Sequence, residues 1–157
     1  MRLVAALGGI VLILDQAAKW LALRSLGQGG PVSVIDGFFS LTLVMNPGLA
    51  FGMLGTVPPG WRWIIALLSI GALAVLATLA TRLLPEGGRV AAVAIGMIFG
   101  GAVGNLIDRA RFGAVVDFLD FYWRGWHWPA FNVADSAISA GVALLALRML
   151  TAKPPKA

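Results

Sequence analysis

Four long apolar stretches, separated by polar and aromatic segments, dominate the pattern along the chain. A helix needs about 20 predominantly apolar residues to cross the roughly 30 Å of hydrocarbon in a bilayer. The stretch Trp63–Thr81 has 19 residues without a charge, and Val90–Ile107 has 18. With the first and last stretches, they predict four transmembrane helices in a single domain, 1–157. The expected bounds are about 3–23, 63–82, 90–107 and 131–150.

The segments between these stretches differ in character. In the outer loop 25–60, residues around Asp36-Gly37 alternate and are rich in β-branched and aromatic side chains, which predicts a hairpin. The outer loop 109–130 interleaves aromatic with charged side chains, as is typical of an amphipathic segment at the membrane interface. The connection Leu83–Gly88 predicts a simple turn. The predicted fold class is therefore an all-α integral membrane protein with a small β-rich extracytoplasmic element and an interfacial segment.

The composition excludes several classes of protein. Hydrophobic residues make up 59% of the chain and charged residues 12%, against about 45–50% and about 25% in soluble domains. The absence of cysteine removes disulfides, thiol nucleophiles, thiolate zinc sites and iron–sulfur clusters. With His127 as the one histidine, we expect no metal site and no cofactor. The net charge of +5 is scattered over the ends of apolar stretches, so we expect no nucleic-acid partner.

Flanking residues predict the orientation in the membrane. Four spans put both termini on one side, and six Lys or Arg residues there against five opposite favour the cytoplasm for that side. Because Asp15 and Gln16 follow the first apolar core where small residues would precede a cleavage site, we expect an uncleaved span rather than a signal peptide. All six tryptophans fall at the other interface: Trp20, Trp61, Trp63, Trp123, Trp126 and Trp128.

Ionisable side chains inside the spans each need a partner or a function, because insertion costs at least about 2.5 kcal/mol. Asp15 and Lys19 lie at i, i+4 on one helix face and can neutralise each other, which makes a structural salt bridge the first interpretation. Asp108 ends the third span against the helix dipole, so a specific cation should hold it. Arg109, Arg111 and Lys19 are the candidates.

Two further acids indicate hydrolytic chemistry. Asp135 lies three residues after Asn132, the spacing of an N-cap followed by an acidic residue in the first turn. Asp117 lies between apolar residues on the same outer side. Two carboxylates close together at a low-dielectric interface share a proton, so one can act as general base on water while the other donates to a carbonyl. That is the chemistry of an aspartic protease.

The sequence offers few residues for other nucleophilic mechanisms, but two such mechanisms stay open at this point. A serine–histidine system would depend on His127, which lies in a tryptophan-rich loop. A serine–lysine dyad would need Lys19 to reach Ser136 or Ser40.

Two classes outside hydrolysis are also open. A small four-span transporter or channel would use the ionisable residues of the spans as a relay, although these residues cluster toward one interface instead of crossing the midplane. They are Asp15, Lys19, Asp108 and Asp135. A non-catalytic membrane scaffold would tolerate amide substitution of Asp117 and Asp135.

Five blocks of residues carry a resemblance to a known family. In order, they are Leu14-Asp15-Gln16 with Lys19, Asn46-Pro47-Gly48-Leu49-Ala50-Phe51-Gly52, Gly104 through Arg109, Val115-Val116-Asp117-Phe118, and Phe131-Asn132-Val133-Ala134-Asp135-Ser136. With these blocks the chain resembles, end to end, the lipoprotein signal peptidases (signal peptidase II) of bacteria. Five blocks in sequence with four spans are highly specific. The family more usually has alanine where this chain has Leu49, which bears on loop packing or substrate fit and not on the chemistry.

The resemblance implies an intramembrane aspartic endopeptidase that removes the signal peptide from prolipoproteins, just before a cysteine that carries a diacylglyceryl group. It implies that Asp117 and Asp135 are catalytic and that Asp15 and Lys19 form a structural polar pair. It implies substrate-binding, inhibitor-binding or supporting roles for Asn46, Gly48, Asn105, Asp108, Arg109 and Asn132.

The resemblance also implies partners and a location. The partners are lipid-modified prolipoproteins, membrane lipids and globomycin-type inhibitors, with no obligate protein partner. The location is the bacterial inner membrane, with both termini in the cytoplasm and the active site near the surface of the outer leaflet.

Overall fold

Four helices of the computed structural model, which describes residues 1–48, 60 and 62–151, are long and apolar enough to cross a membrane. They are α1 (Arg2–Leu26), α2 (Trp63–Pro85), α3 (Gly87–Phe112) and α4 (Val133–Thr151). The predicted fold class of four spans is confirmed. The turn between α2 and α3 is shorter than the predicted Leu83–Gly88, because the helical conformation is broken only at Gly88, with φ 59° and ψ −142°. Leu49 and Trp61 lie outside the described residues.

The two long loops meet in a four-stranded antiparallel sheet. Its strands are β1 (Val32–Ile35), β2 (Phe39–Asn46), β3 (Val115–Trp123) and β4 (Trp126–His127), and their spatial order follows the chain. The predicted hairpin at Asp36-Gly37 joins β1 to β2, with Gly37 at a φ of 77°. A second tight turn, Arg124-Gly125, joins β3 to β4 with φ values of 51° and 82°, which matches the left-handed conformation that such two-residue hairpin turns require.

The segment 109–130, predicted to lie at the interface, forms part of the helix bundle and of the sheet. Its first residues extend α3 to Phe112, and the helix ends where Gly113, at a φ of 68°, donates its amide hydrogen to Arg109 O at 2.9 Å. Most of the remainder forms β3 and β4. The β2–β3 pairing sets Val44 opposite Asp117 and Asn46 opposite Val115, which brings residues from two distant loops to one place.

α3 is the central helix of the bundle. Half of its apolar window is buried, against 11% for α1 and for α2 and 17% for α4. Small residues permit the close approach: a Cβ at Gly100 would collide with the backbone of Gly8 on α1, and a Cβ at Gly104 would lie 2.5 Å from Asp15 Oδ2. The last turns of α3 therefore lie directly against the polar part of α1.

Candidate active site

An ion cluster of Asp15, Lys19 and Asp108 joins α1 to the end of α3. Lys19 Nζ lies 2.8 Å from Asp15 Oδ2 and 2.7 Å from Asp108 Oδ2, and all three side chains are buried. Asp15 Oδ1 accepts the amide hydrogen of Ala134 at 2.8 Å, and Asp108 Oδ2 accepts that of Val116 at 3.1 Å. The predicted Asp15–Lys19 pair is present, and Lys19 is the cation that holds Asp108. The cluster ties α1, α3, α4 and β3 together.

Gln16 completes this ion cluster, and sequence reasoning assigned it no role. Its Nε2 donates to Asp108 Oδ1 at 3.0 Å and to the carbonyl of Gly104 at 3.2 Å. The one signal in the sequence was its position beside Asp15, in the same block of residues. Together with Lys19 and Val116, Gln16 leaves both oxygens of Asp108 satisfied.

Asn132 is the N-cap of α4 and also forms hydrogen bonds with both predicted catalytic residues. Its Oδ1 accepts the amide hydrogen of Asp135 at 2.9 Å, which is the predicted N-cap geometry. Its Nδ2 donates to Asp117 Oδ1 at 2.7 Å and to Asn105 Oδ1 at 3.2 Å. Asn132 is fully buried, so a single amide fixes the start of α4 and the carboxyl of Asp117 together.

Asp117 lies in β3 with only 1% of its surface exposed. Asn46 Nδ2 donates to its Oδ2 at 3.0 Å, opposite the bond from Asn132. The pKa of Asp117 is raised to about 7, mainly because the carboxyl is buried. The nearby Asp135 also raises this pKa, whereas the two asparagines and Lys19 partly lower it. Asp117 therefore titrates near neutral pH, in the range where a carboxyl can both donate and accept a proton.

Asp135 lies in the first turn of α4 and is partly buried. Asn105 Nδ2 donates to its Oδ1 at 2.8 Å, and Asn105 Oδ1 accepts hydrogen bonds from Lys19 Nζ at 2.8 Å and from Asn132. We call Asn105 and Asn132 the amide bridge, because they are bonded to each other and each holds one of the two acids. The bridge rests on Lys19 and hence on the ion cluster.

Arg109 approaches the same region from α3. Its guanidinium donates to Gly48 O at 3.1 Å and to Asn105 O at 3.3 Å, while Nε is buried and has no hydrogen-bond partner among the described residues. Gly48 in turn donates its amide hydrogen to Asn46 Oδ1 at 3.0 Å. A buried donor without a partner is costly, so Arg109 has capacity to bind an acceptor that enters the site.

The structure therefore gathers the sequence-predicted site residues into one connected network. The two acids, Asp117 and Asp135, interact electrostatically and are held by asparagine side chains. The remaining predicted residues surround them or anchor the network: Asp15, Lys19, Asn46, Gly48, Asn105, Asp108, Arg109 and Asn132. Within the described ranges, no group of three His, Cys, Asp or Glu side chains could hold a metal ion.

The two serines considered for a serine–lysine dyad, Ser136 and Ser40, have other partners. Ser136 Oγ donates to Asn132 O at 2.9 Å, and Ser40 Oγ donates to Asp120 Oδ2 at 3.1 Å. Lys19 instead contacts two carboxylates and an asparagine. These bonds give neither hydroxyl a contact with Lys19 or His127, the two bases that the serine mechanisms require.

Asp120 and His127 form a second polar group that the sequence did not predict. Both carboxylate oxygens of Asp120 lie 3.0 Å from His127 Nδ1, and Asp120 also accepts the hydrogen bond from Ser40. The contact depends on the β3–β4 turn, which brings residues seven positions apart together.

Two cavities flank the pair of acids. The helix cavity, of about 320 Å³, lies between α2, α3 and α4 and is lined by apolar side chains together with Asn46, Asn105, Arg109 and Asp135. The sheet cavity, of about 630 Å³, is lined by residues of β2 and β3 and of the segment 127–130, including Asn46 and Asp117. Asn46 lines both cavities, so they adjoin at the acids, with Asp135 on one side and Asp117 on the other.

Comparison with known proteins identifies the family. A family model described as signal peptidase (SPase) II matches residues 7–151. The lipoprotein signal peptidase of Geobacter metallireducens is 46% identical over 149 residues, 95% of this chain and 91% of that protein. The one of Geobacter sulfurreducens is 49% identical over 146 residues, 93% and 90% of the two chains. A bacterial membrane enzyme solved by the in meso method matches with a TM-score of 0.75 and 30% identity, over 99% of this chain and 96% of that one. The chain therefore belongs to the signal peptidase II family, a family of peptidases.

Proposed function

We propose that this protein is an intramembrane aspartic endopeptidase that removes the signal peptide from diacylglyceryl-modified prolipoproteins, cleaving just before the lipidated cysteine. The relatives named as lipoprotein signal peptidases support the substrate class. The observation that carries the aspartic mechanism is the amide bridge, through which Asn132 and Asn105 hold Asp117 and Asp135 on one site.

Amide partners suit a pair of acids that must share a proton. A lysine or arginine bonded to either carboxyl would favour its ionised form, whereas an asparagine amide can donate to a carboxyl in either protonation state. Among the described residues, no salt bridge reaches Asp117 or Asp135. With the pKa of Asp117 raised to about 7, one proton on the pair at neutral pH is the expected state, and the pair titrates as a unit.

The proposed reaction uses the singly protonated pair. The ionised carboxyl takes a proton from a water molecule, the water oxygen attacks the scissile carbonyl, and the protonated carboxyl donates its proton to the carbonyl oxygen. Collapse of this intermediate breaks the C–N bond. The leaving amine takes one proton from the pair, and the second carboxyl recovers the proton from the hydroxyl. One water is consumed, and the pair returns to its initial state.

Arg109 is the residue best placed to bind the substrate backbone. Its buried Nε has no hydrogen-bond partner within the described part of the chain, and Arg109 lines the helix cavity together with Asp135. A substrate carbonyl or a developing oxyanion in that cavity would supply the missing acceptor, in a site of low dielectric where such a bond is strong. Asn46 and Asn105 line the same cavity and offer further amide groups.

The apolar lining of the helix cavity fits the apolar segment of a signal peptide. We propose that the segment before the scissile bond lies between α2, α3 and α4, with the diacylglyceryl group in the surrounding lipid. We further propose that the protein lies in the bacterial inner membrane with both termini in the cytoplasm. Exposed tryptophans on the β3–β4 hairpin, whose first strand carries Asp117, support an active site at the outer interface: Trp123 is 68% exposed and Trp126 63%.

Membership of a peptidase family decides against the transporter and scaffold classes. A concrete test of the proposal is cleavage of a precursor peptide by the purified full-length protein in detergent, with product masses read by mass spectrometry. The peptide should be cut on the N-terminal side of its cysteine when that residue carries diacylglyceryl, and much more slowly when it does not. A globomycin-type inhibitor should block the reaction, and a chelator should leave it unchanged. Equal cleavage of both peptides would overturn the proposed substrate class.

A further inference from the structure

The sheet cavity offers a binding site that the proposed reaction leaves unused. It adjoins the helix cavity at Asn46, and Asp117 forms part of its wall. A polypeptide that crosses the two acids with its signal segment in the helix cavity continues, beyond the scissile bond, into the sheet cavity. The volume of about 630 Å³ is large enough for several side chains.

Acidic residues predominate among the ionisable side chains that line this cavity. Apart from Asp117, its ionisable residues are Asp120 and His127. Asp120 is 7% exposed and accepts a hydrogen bond from the buried Ser40. The carboxylate is therefore anchored from the sheet side, while His127 covers it from the solvent side.

His127 is held in a defined orientation and still has one ring nitrogen to offer. Its Nδ1 lies 3.0 Å from both oxygens of Asp120, and its ring stacks on Tyr122 with centroids 5.1 Å apart and an interplanar angle of 16°. More than half of the side chain, 57%, is exposed. In the neutral ring with its hydrogen on Nδ1, donated to Asp120, Nε2 is a hydrogen-bond acceptor. A ligand in the cavity thus meets an acceptor backed by a carboxylate.

We propose that the sheet cavity binds the first residues of the mature chain, those that follow the lipidated cysteine, and that Asp120 and His127 make it select cationic or hydrogen-bond-donating side chains over acidic ones. This subsite rests on the proposed function, because it assigns the other side of the same scissile bond. Asp120 and His127 are specificity-determining residues and take no part in proton transfer to the substrate.

The test uses three lipidated peptides that differ only at the residue after the cysteine, which is Lys, Ser or Glu. For the wild-type protein, kcat/KM should fall in that order, with about a tenfold difference between Lys and Glu, the size of one hydrogen bond to a charged group. The difference should lie in KM, because the subsite binds the chain away from the reacting atoms. His127→Phe, which removes the acceptor nitrogen and keeps a ring over Asp120, and Asp120→Asn should each reduce the ratio toward one.

Trp126→Ala is the matched control, since Trp126 neighbours His127 in β4, is exposed and does not line the cavity. It should leave the Lys-to-Glu ratio unchanged. Equal kcat/KM for the Lys and Glu peptides, or a ratio that survives both substitutions, would overturn the subsite while leaving the peptidase intact. If Asp120→Asn fails to fold, the variant at the exposed residue, His127→Phe, alone decides.

A binding measurement separates this proposal from the proposed catalytic pair. The cleaved lipopeptides with Lys or Glu after the cysteine are titrated into Asp135→Asn protein in detergent. Tighter binding of the Lys product supports the subsite whether or not Asp135→Asn still cleaves. If this variant binds the Lys product more tightly and still cleaves, the aspartic mechanism alone is wrong. Equal binding of the two products contradicts the subsite.

Discussion

Two pairs of aspartates lie side by side in this protein and differ in what holds them. Asp15 and Asp108 share the ammonium group of Lys19 at 2.8 and 2.7 Å. Asp117 and Asp135 are instead held by asparagine amides at 2.7 to 3.0 Å. The ammonium group contacts one oxygen of each acid in the first pair, whereas the amides leave the second pair free to exchange a proton. All four residues are aspartates, so their hydrogen-bonding partners distinguish the structural pair from the proposed catalytic pair.

The two pairs are not independent. Asn105 accepts a hydrogen bond from Lys19 and donates one to Asp135, so the ion cluster orients the amide that holds a proposed catalytic acid. Asp15 also accepts the amide hydrogen of Ala134, the residue next to Asp135. The ion cluster therefore acts as the rigid support of the site, in the way that surrounding hydrogen bonds commonly orient reactive groups.

The largest expected effect separates the pairs by activity. Asp117→Asn should lower kcat by about a thousandfold, the typical contribution of a general acid or base, because an amide cannot exchange the proton. The matched control is Asp36→Asn, an exposed acid in the β1–β2 turn, which should keep the wild-type activity. Both variants are assayed as purified protein at equal concentration. Activity of Asp117→Asn within a few-fold of wild type would show that Asp117 is not a catalytic acid.

The next effect separates the pairs by stability. Lys19→Met leaves two buried carboxylates without their cation and should lower the unfolding free energy by about 3–5 kcal/mol. Arg24→Met, an exposed position on the same helix, should change it by less than about 1 kcal/mol. Thermal or denaturant unfolding in detergent measures both. A stable Lys19→Met protein would mean that the ion cluster is not the support of the site.

A smaller loss of stability follows from the close approach of α3 to α1. In Gly104→Ala the new Cβ would lie 2.5 Å from Asp15 Oδ2, so the ion cluster must shift, at a cost of about 1–3 kcal/mol. Gly71→Ala is the control, because a Cβ at Gly71 meets no atom within 4 Å. It should be neutral or slightly stabilising, as alanine favours helix more than glycine does. Equal stability of the two variants would contradict the close packing.

The pH dependence sharpens the comparison further. Because the pKa of Asp117 is raised to about 7, the pair loses its shared proton as pH rises through that value, and kcat/KM should fall by about tenfold per unit above it. The hydrogen bond from Asn46 lowers the pKa of Asp117, so Asn46→Ala should shift this alkaline limb to higher pH. A limb that stays in place in Asn46→Ala would assign the titration to another group.

The same shift fixes the sign of its effect on stability. The folded-state pKa of Asp117 lies above the ordinary value of 3.8, so ionisation of this carboxyl opposes folding. Its contribution to the unfolding free energy should fall as pH rises from about 4 to about 7 and then stay constant. Asp117→Asn removes this pH dependence, and unfolding of the two proteins at several pH values measures the difference.

Local patterns in the sequence predicted the features that depend on local chemistry. Long apolar stretches predicted the four helices, Asp36-Gly37 predicted the first hairpin, and the Asn132 to Asp135 spacing predicted the N-cap. The desolvation cost of a carboxylate near the membrane surface singled out Asp117 and Asp135 as candidates. These arguments need only the residue and its neighbours.

Features that depend on distant contacts were not predictable in the same way. β3 becomes a strand because it pairs with β2, and its bond to Asn46 joins residues 71 positions apart. The role of Gln16 depends on the facing surface of α3, and the pairing of Asp120 with His127 depends on the turn Arg124-Gly125. Periodicity and spacing carry no information on which distant surfaces meet.

The most direct test of the central claim is one matched pair of acid-to-amide substitutions, Asp135→Asn and Asp15→Asn. Each purified protein is scored for both melting temperature and cleavage of the diacylglyceryl-modified precursor peptide. Asp135→Asn should melt close to the wild type and have lost cleavage, whereas Asp15→Asn should melt well below the wild type and keep measurable cleavage at a temperature where it is folded. The reverse result, a folded Asp135→Asn protein that cleaves normally, would contradict the assignment of the amide-held pair as the catalytic one.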